Sequence, residues 1–273
     1  MISVVILTLN EAANLPRCLD SLAFSDDVLV LDSGSNDDTV AIADARGARV
    51  LTRRFDSFAG QRNHAMEHGA FRHRWVLHLD ADEVVRPELG AELLAIATAD
   101  DSRWPVYRLP SRMIFMGRWL KHAGMYPAYQ VRFGRADALR FVDHGHGQRE
   151  VQAAHEVGTL QGALDHHNFS KGVHDWFARH LRYAEREAVQ MLAERGQPLR
   201  VGELLAVDAT VRRRALKRLA ARMPMRPTLR FLYSYVARGG FLDGRAGYEY
   251  ACMLAVYQQF IDLRLHEKRR EHS

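Results

Sequence analysis

An α/β fold built on a Rossmann-like parallel sheet is what this sequence predicts, and three observations predict it. Strand-length β-branched runs alternate with helical patterns through the first hundred residues. The early strands end in polar clusters, where open α/β sheets bind their ligands. At 273 residues and 47% hydrophobic, the chain can also bury a sizeable core.

The elements follow in order. "ISVVILTL" is a strand, and "EAANLPRCLDSLAF" has helical spacing at Leu15, Leu19 and Leu22. "DVLVLD" is a strand, "DDTVAIADARG" a helix closed by Gly47, and "ARVLTR" a strand. "GQRNHAMEHG" reads as a short helix, "RWVLHLD" as a strand, and "PELGAELLAIA" as a helix with Pro87 in its first turn. From about residue 103, short strand-like pieces mix with Gly, Pro and aromatics, predicting an antiparallel edge on the same sheet. From His174 the pattern is helical: "DWFARHLRYAEREAVQMLAERG" ends at Gly196, and two further helices flank a Gly-rich turn near residue 240. We therefore expect a sheet-bearing domain over 1–172, made of a 1–102 half and a 103–172 half, and a C-terminal helical region over 173–273.

Composition narrows the function classes. Two distant cysteines, Cys18 and Cys252, give neither a metal knuckle nor a disulfide framework, which suits a reducing compartment and predicts a cytoplasmic protein. No segment approaches the roughly 18 apolar residues that span a bilayer. Residues 1–100 carry 16 acidic and 9 basic side chains, net −7, and the remainder is net +12. An acidic half beside a basic one fits a metal-and-nucleotide site next to a surface for an anionic substrate or membrane.

Three clusters carry the chemistry: "TLNEA" after the first strand, "DSGSNDDT" after the second, and "DADE" after the fourth. An Asp-x-Asp at a strand's carboxyl end can hold Mg²⁺ or Mn²⁺ against a diphosphate; a solvated acidic turn before the helix at Pro87 is the alternative. No Gly-rich phosphate loop follows an early strand, so a metal must neutralise any phosphates bound here.

"SVVILTLNEAANLPRCLDSL", "VLVLDSGSNDDTVAIA", "GQRNHAM" and "WVLHLDADE" together resemble the N-terminal half of a family 2 glycosyltransferase, the inverting nucleotide-sugar enzymes of GT-A fold. "FMGRWLKHAGMYPAYQVRFGR", "AHEVGTLQGALDHH" and "GGFLDGRAGYEYA" resemble its lipopolysaccharide inner-core glucosyltransferases, extending the likeness over about residues 2 to 260. The resemblance implies nucleotide binding by Thr8, Asn10, Glu11, Asp32, Arg62 and Asp80, and metal binding by Asp82. Ser33 stands where many relatives carry a second aspartate; the implied base is uracil. It also implies a metal-completing His166, with His167 adjacent, and a catalytic base Glu156 on the acceptor side. Pairing of Glu156 with an arginine is the alternative, and Asp143 and Glu150 are rival bases.

Arg118, Trp119, Lys121, His122, Tyr126 and Arg132 form a basic and aromatic segment suited to stacking a sugar and pairing with acceptor anions. "VDATVRRRALKRLAAR", with Arg212, Arg213 and Arg214, reads as an interfacial helix for anionic lipid; a solvated face is the plainer reading. The expected function is thus metal-dependent transfer of a hexose, glucose by resemblance, from a UDP-linked donor to a lipopolysaccharide-type glycan on the inner face of the cytoplasmic membrane. A sugar nucleotidyltransferase would need a Gly-rich basic loop that "TLNEAANLP" lacks. A basic membrane- or nucleic-acid-binding module would leave the three clusters unexplained, and no nucleic-acid motif accompanies the charge.

Overall fold

The structure is a computed structural model and describes residues 1–99, 103–124, 126–144, 147–194, 201–205, 212, 215, 219 and 223–271. It divides into two compact units, one of Met1–Ile114 with Tyr126–Ser170, the other of Phe115–Met125 with Lys171–Ser273.

In the first unit, the strands are β1 (Ser3–Thr8), β2 (Asp27–Asp32), β3 (Arg49–Thr52), β4 (Trp75–Asp80), β5 (Glu83–Val85), β6 (Val106–Phe115), β8 (Ala128–Arg135), β9 (Phe141–His144), β10 (Gly147–Glu150), β11 (Val157–Thr159) and β12 (Leu164–His166). The main sheet runs β3-β2-β1-β4-β8-β6-β12-β5, with β11 beside β6, while β9 and β10 form a separate antiparallel ribbon. β1, β2, β3 and β4 are mutually parallel, as the alternation of strands and helices requires. Both faces of β1 are buried: Ile2, Val4 and Ile6 join one core cluster and Val5 the other. Helices α1 (Leu15–Asp20), α2 (Thr39–Ala45), α3 (Phe58–His68) and α4 (Pro87–Ala99) fall on the segments the sequence marks as helical.

The antiparallel part differs from expectation. β8 does not lie at an edge but enters the sheet between β4 and β6, antiparallel to both. Its apolar residues explain this: Val131 and Phe133 are buried, and Phe133 stacks on Trp75 of β4 at 5.0 Å between ring centroids. β5 was not expected at all. Three residues are too few to show a period, and the strand exists because it pairs with β12.

The second unit contains β7 (Arg118–Trp119), α5 (Gly172–Glu194), α6 (Val201–Leu204), α7 (Arg226–Leu232) and α8 (Gly244–Glu271). A π turn over Tyr233–Ala237 continues α7, and a 3-10 turn over Gly240–Asp243 leads into α8. α5 buries Trp176, Ala184 and Ala188, and α8 buries Ala251, Ile261 and Leu265. The Tyr257 hydroxyl of α8 donates to Glu187 Oε1 of α5 at 2.9 Å. The buried Asp243 carboxylate accepts the backbone N–H of His122 and Ala123 at 3.0 and 2.8 Å, fastening segment 115–125 to the start of α8. Of the expected basic helix, Arg213 and Arg214 lie outside the described residues, while Arg212 is described and exposed. Among the described residues, no helix is long and apolar enough to cross a membrane.

Candidate active site

The three polar clusters do converge, and hydrogen bonds join the first two. β1 and β2 stand in register, Thr8 opposite Asp32, so the loops beyond them meet. Asn10, at a left-handed φ of 56°, donates its N–H to Ser35 Oγ (2.8 Å), and its Oδ1 accepts the Asn36 N–H (2.9 Å). The N–H of Glu11 donates to Thr39 Oγ1 (2.8 Å), and Glu11 Oε2 accepts from Asn14 Nδ2 (2.7 Å). Asp32 is buried and accepts from Thr8 Oγ1 (2.8 Å) and from the N–H groups of Gly34 (2.9 Å) and Ser35 (2.7 Å). Burial alone would push its carboxyl up, but these hydrogen bonds outweigh it and hold the group below the usual carboxylate range. Asp32 therefore shapes the nucleoside-side loop from within, and a ribose hydroxyl reaching it would compete with four internal donors.

The third cluster lies next door, since β1 places Leu7 opposite Asp80. Asp80 is held from two directions, by Arg62 Nη2 on Oδ1 and by Arg132 Nη2 on Oδ2, each at 2.7 Å. Both guanidinium groups are buried, 1% and 5% exposed, so their charge is screened far less than a surface pair's would be. Arg132 also reaches Glu83 Oε1 at 3.2 Å, and Glu83 Oε2 accepts the Asp80 N–H at 2.9 Å. Burial, reinforced by the Asp80 charge, pushes the Glu83 carboxyl up to about 8. Arg132 was expected on the acceptor; the structure instead buries it behind the carboxylates, because β8 runs beside β4 and aims it inward.

Asp82 stands beside Asp80. Its carboxylate is 21% exposed, somewhat less than the 29% of Asp80, and Oδ2 lies 3.2 Å from His166 Nε2. The β5–β12 ladder makes this pair by setting Glu83 opposite His166. Burial disfavours the charged imidazole, yet Asp82 above all, with Glu83 and Asp80, raises His166 to about 9. The neighbouring His167 is lowered, by burial and then by Arg17. The same carboxylates, after burial itself, push the Cys18 thiol of α1 well up.

Other expected residues fall elsewhere. Glu156 is exposed and accepts the Ala153 N–H at 3.0 Å within its own turn. Val76, Gly134, Val106 and Val157 stand level across the sheet. Asp80 lies beyond that level and Glu156 before it, about 16 Å apart along the strands at ~3.3 Å per residue. Glu156 thus stands toward the opposite end of the sheet from the carboxylates. Of the acceptor segment, Arg118, Trp119, Lys121 and His122 belong to the second unit, whereas Tyr126 and Arg132 belong to the first. Lys121 Nζ sits 5.8 Å from the centre of the Trp119 ring. Asp143 is exposed on β9, and that ribbon is bound to α3 by paired hydrogen bonds between the Asn63 amide and the Phe141 backbone. The Phe141 ring lies 5.8 Å from the Arg62 guanidinium, next to the Asp80 cluster.

The sequence marks Glu83 as the third carboxylate of "DADE" but shows neither its burial nor the inward turn of Arg132. Both depend on which strands neighbour β4, and one carboxylate after "DAD" carries no signal of burial.

Comparison with known proteins bears on this site. Residues 3–147 match the family described as Glycosyl transferase family 2. An uncharacterized glycosyltransferase of Rickettsia felis is 37% identical over 119 residues, 43% of this chain and 41% of that protein. The chain thus matches about two fifths of that relative's length. A lipopolysaccharide core biosynthesis glycosyltransferase, LpsC, of Rhizobium meliloti is 30% identical over 169 residues, covering 59% of this chain and 58% of that one. A glucosyl-3-phosphoglycerate synthase of Mycobacterium tuberculosis is 47% identical over 57 residues, 19% and 18% of the two chains. The family match spans the α/β sheet that brings together Asp32, Asp80, Asp82 and the two buried arginines, and on it the chain belongs to glycosyl transferase family 2.

Proposed function

We propose that this chain is a metal-dependent, inverting hexosyltransferase that moves glucose from a UDP-linked donor to a lipopolysaccharide core or related envelope glycan. One observation carries the reading: Asp80 is held on both oxygens by buried arginines, and Asp82 beside it, also partly exposed, lies 3.2 Å from His166. The lipopolysaccharide-core relative supports the acceptor class, and the glucosyl synthase supports the sugar.

The residues present fit a divalent ion. Among the described residues no group of three His, Cys, Asp or Glu side chains surrounds one site. Asp82 and His166 supply one carboxylate oxygen and one imidazole nitrogen, and Mg²⁺ or Mn²⁺ commonly takes few protein ligands and completes its shell with water and phosphate oxygens. When bound, such an ion supplies charge neutralisation for a departing diphosphate. Asp80, with both oxygens on arginines, orients the loop that presents Asp82. Arg62 Nε and Nη1 are buried without hydrogen-bond partners, donors suited to a uridine or phosphate oxygen. The acceptor hydroxyl must lose its proton to a carboxylate as the new bond forms. With Glu156 at the far end, Asp143 on the ribbon beside Arg62 is the candidate this arrangement favours.

A panel of nucleotide sugars tested for Mn²⁺-dependent hydrolysis without acceptor checks the reading. UDP-glucose should be cleaved by the native chain and not by Asp82→Asn. Equal metal-dependent turnover by that variant, or release of pyrophosphate from a nucleoside triphosphate instead, would overturn it.

A further inference from the structure

The second unit carries a surface that the proposed reaction does not use. Leu229, Leu232 and Val236 recur at steps of three and four along α7 and its π turn, so they share one helical face, and Met225 lies just before the helix. An apolar face at this spacing ordinarily turns into a core. Here it is exposed: 70% for Met225, 37% for Leu229, 46% for Leu232 and 56% for Val236. After the turn at Gly239, Phe241 and Leu242 follow, 51% and 61% exposed. The backing is rigid, because Phe231, Tyr235 and Tyr248 form a mutual cluster with ring centroids 5.3 to 5.8 Å apart, and Tyr235 also touches the Phe241 ring edge-on at 6.3 Å. Contiguous exposed apolar surface of this kind marks an interaction site.

Charge identifies the partner. In sequence, residues 209–242 contain nine arginines and lysines and no aspartate or glutamate; five of the nine lie outside the described residues, and Arg226 is paired with Asp262. Arg230 leans over the Tyr233 ring at 5.9 Å, and Arg245, 88% exposed and paired with Glu249 at 2.7 Å, stands just beyond Phe241 and Leu242 in the chain. The first acidic residue after the stretch, Asp243, is buried on backbone amides. A protein partner of ordinary mixed charge would meet a surplus of positive charge here. A bilayer with anionic headgroups answers both features, taking the apolar side chains at the acyl boundary and the guanidinium groups among the phosphates.

We propose that the face formed by α7, its π turn and the Gly240–Asp243 turn is an anionic-membrane docking surface, with Phe241 and Leu242 as its inserting tip. This deepens, and rests on, the reading of a lipid-linked acceptor, and it adds a membrane contact to the one expected from the basic stretch near Arg212.

The test uses the full chain and sedimentation with vesicles of phosphatidylglycerol and phosphatidylethanolamine, against phosphatidylcholine vesicles. The native chain should bind the anionic vesicles and not the neutral ones. The double variant Phe241→Ser, Leu242→Ser should bind at least about tenfold more weakly, from loss of two burying side chains. Arg230→Gln with Arg245→Gln should weaken binding about fivefold or more, in a salt-sensitive way. Phe241→Trp should show a blue-shifted emission on anionic vesicles, a readout that needs no loss of fold. Undiminished binding by the double serine variant, equal binding to neutral lipid, or an unshifted emission from Phe241→Trp would overturn the proposal. So would a lipid-free dimer of the native chain that the serine pair dissolves without changing vesicle binding. Acceptor-free donor hydrolysis, run in parallel, separates the two readings: its absence in the native chain would sink the transferase reading alone, and its retention in a serine variant that has lost vesicle binding supports the surface.

Discussion

Arg132 Nη2 lies 2.7 Å from Asp80 Oδ2, while Arg62 holds the other oxygen of the same carboxylate at the same distance. The contact lies at the junction of β4 and β8, and Arg132 extends it to Glu83. Its worth is mainly in what its absence would expose. Removing Arg132 takes a charged donor from Asp80, 29% exposed and still held by Arg62, and from the buried Glu83, which costs about 1 to 3 kcal/mol. Arg132→Met should therefore lower the urea unfolding free energy by about that much. A loss below ~1 kcal/mol would place the pair among exposed bridges instead.

The two motif aspartates should separate stability from activity. Asp80→Asn strips charge from between two buried arginines and should destabilise the chain by about 2 to 4 kcal/mol. Asp82→Asn keeps an amide oxygen beside His166 and should change stability by less than about 1 kcal/mol, while donor turnover is lost. Urea midpoints and hydrolysis rates measured on the same preparations check both. Equal stability losses in the two variants would contradict this division.

Asp27 gives a pH dependence of known sign. Burial pushes its carboxyl up, but the Ser3 hydroxyl (2.6 Å), the Arg72 N–H (2.9 Å) and the Arg49 guanidinium (2.8 Å) outweigh it, and the folded value is lowered. A lowered folded value means the contribution is present above the ordinary aspartate value of about 3.9 and lost as pH falls through the folded one. The native chain should lose stability more steeply than Asp27→Asn as pH drops below about 4. Chemical denaturation at a series of acidic pH values reads the difference, and parallel curves would refute it.

Asp243 caps two buried amides rather than serving the reaction. Asp243→Ala leaves the His122 and Ala123 N–H groups without their acceptor and should cost about 1 to 3 kcal/mol. Faster hydrogen exchange at those two amides, with donor hydrolysis unchanged, is the expected result. Unchanged exchange would mean another group takes over the cap.

Gly162 marks a close approach of backbones. A Cβ there would sit 2.6 Å from the Leu89 Cα at the start of α4. Backbone cannot yield as a flexible side chain does, so Gly162→Ala should cost about 1 to 3 kcal/mol, read as a lowered thermal midpoint.

Much of the first unit was legible because periodicity is local. "ISVVILTL" and "DVLVLD" are buried on both faces and leave apolar runs, Pro87 marks the first turn of α4, and the carboxyl ends of parallel strands are where polar clusters gather. That much follows from residue order alone: an α/β sheet with three polar clusters at the carboxyl ends of its strands. Tertiary structure decided the rest. Whether β8 lies at an edge or inside the sheet depends on which strand captures Val131 and Phe133, and that choice turned Arg132 from the acceptor to Asp80. Glu156 sits in a motif that resembles an acceptor site, yet pairing of β11 with the first half of β6 carries it toward the far end. A side chain's chemistry is written in its own position, but its neighbours across a sheet are set by strand order and register, which arise only when distant segments compete to bury the same apolar surface.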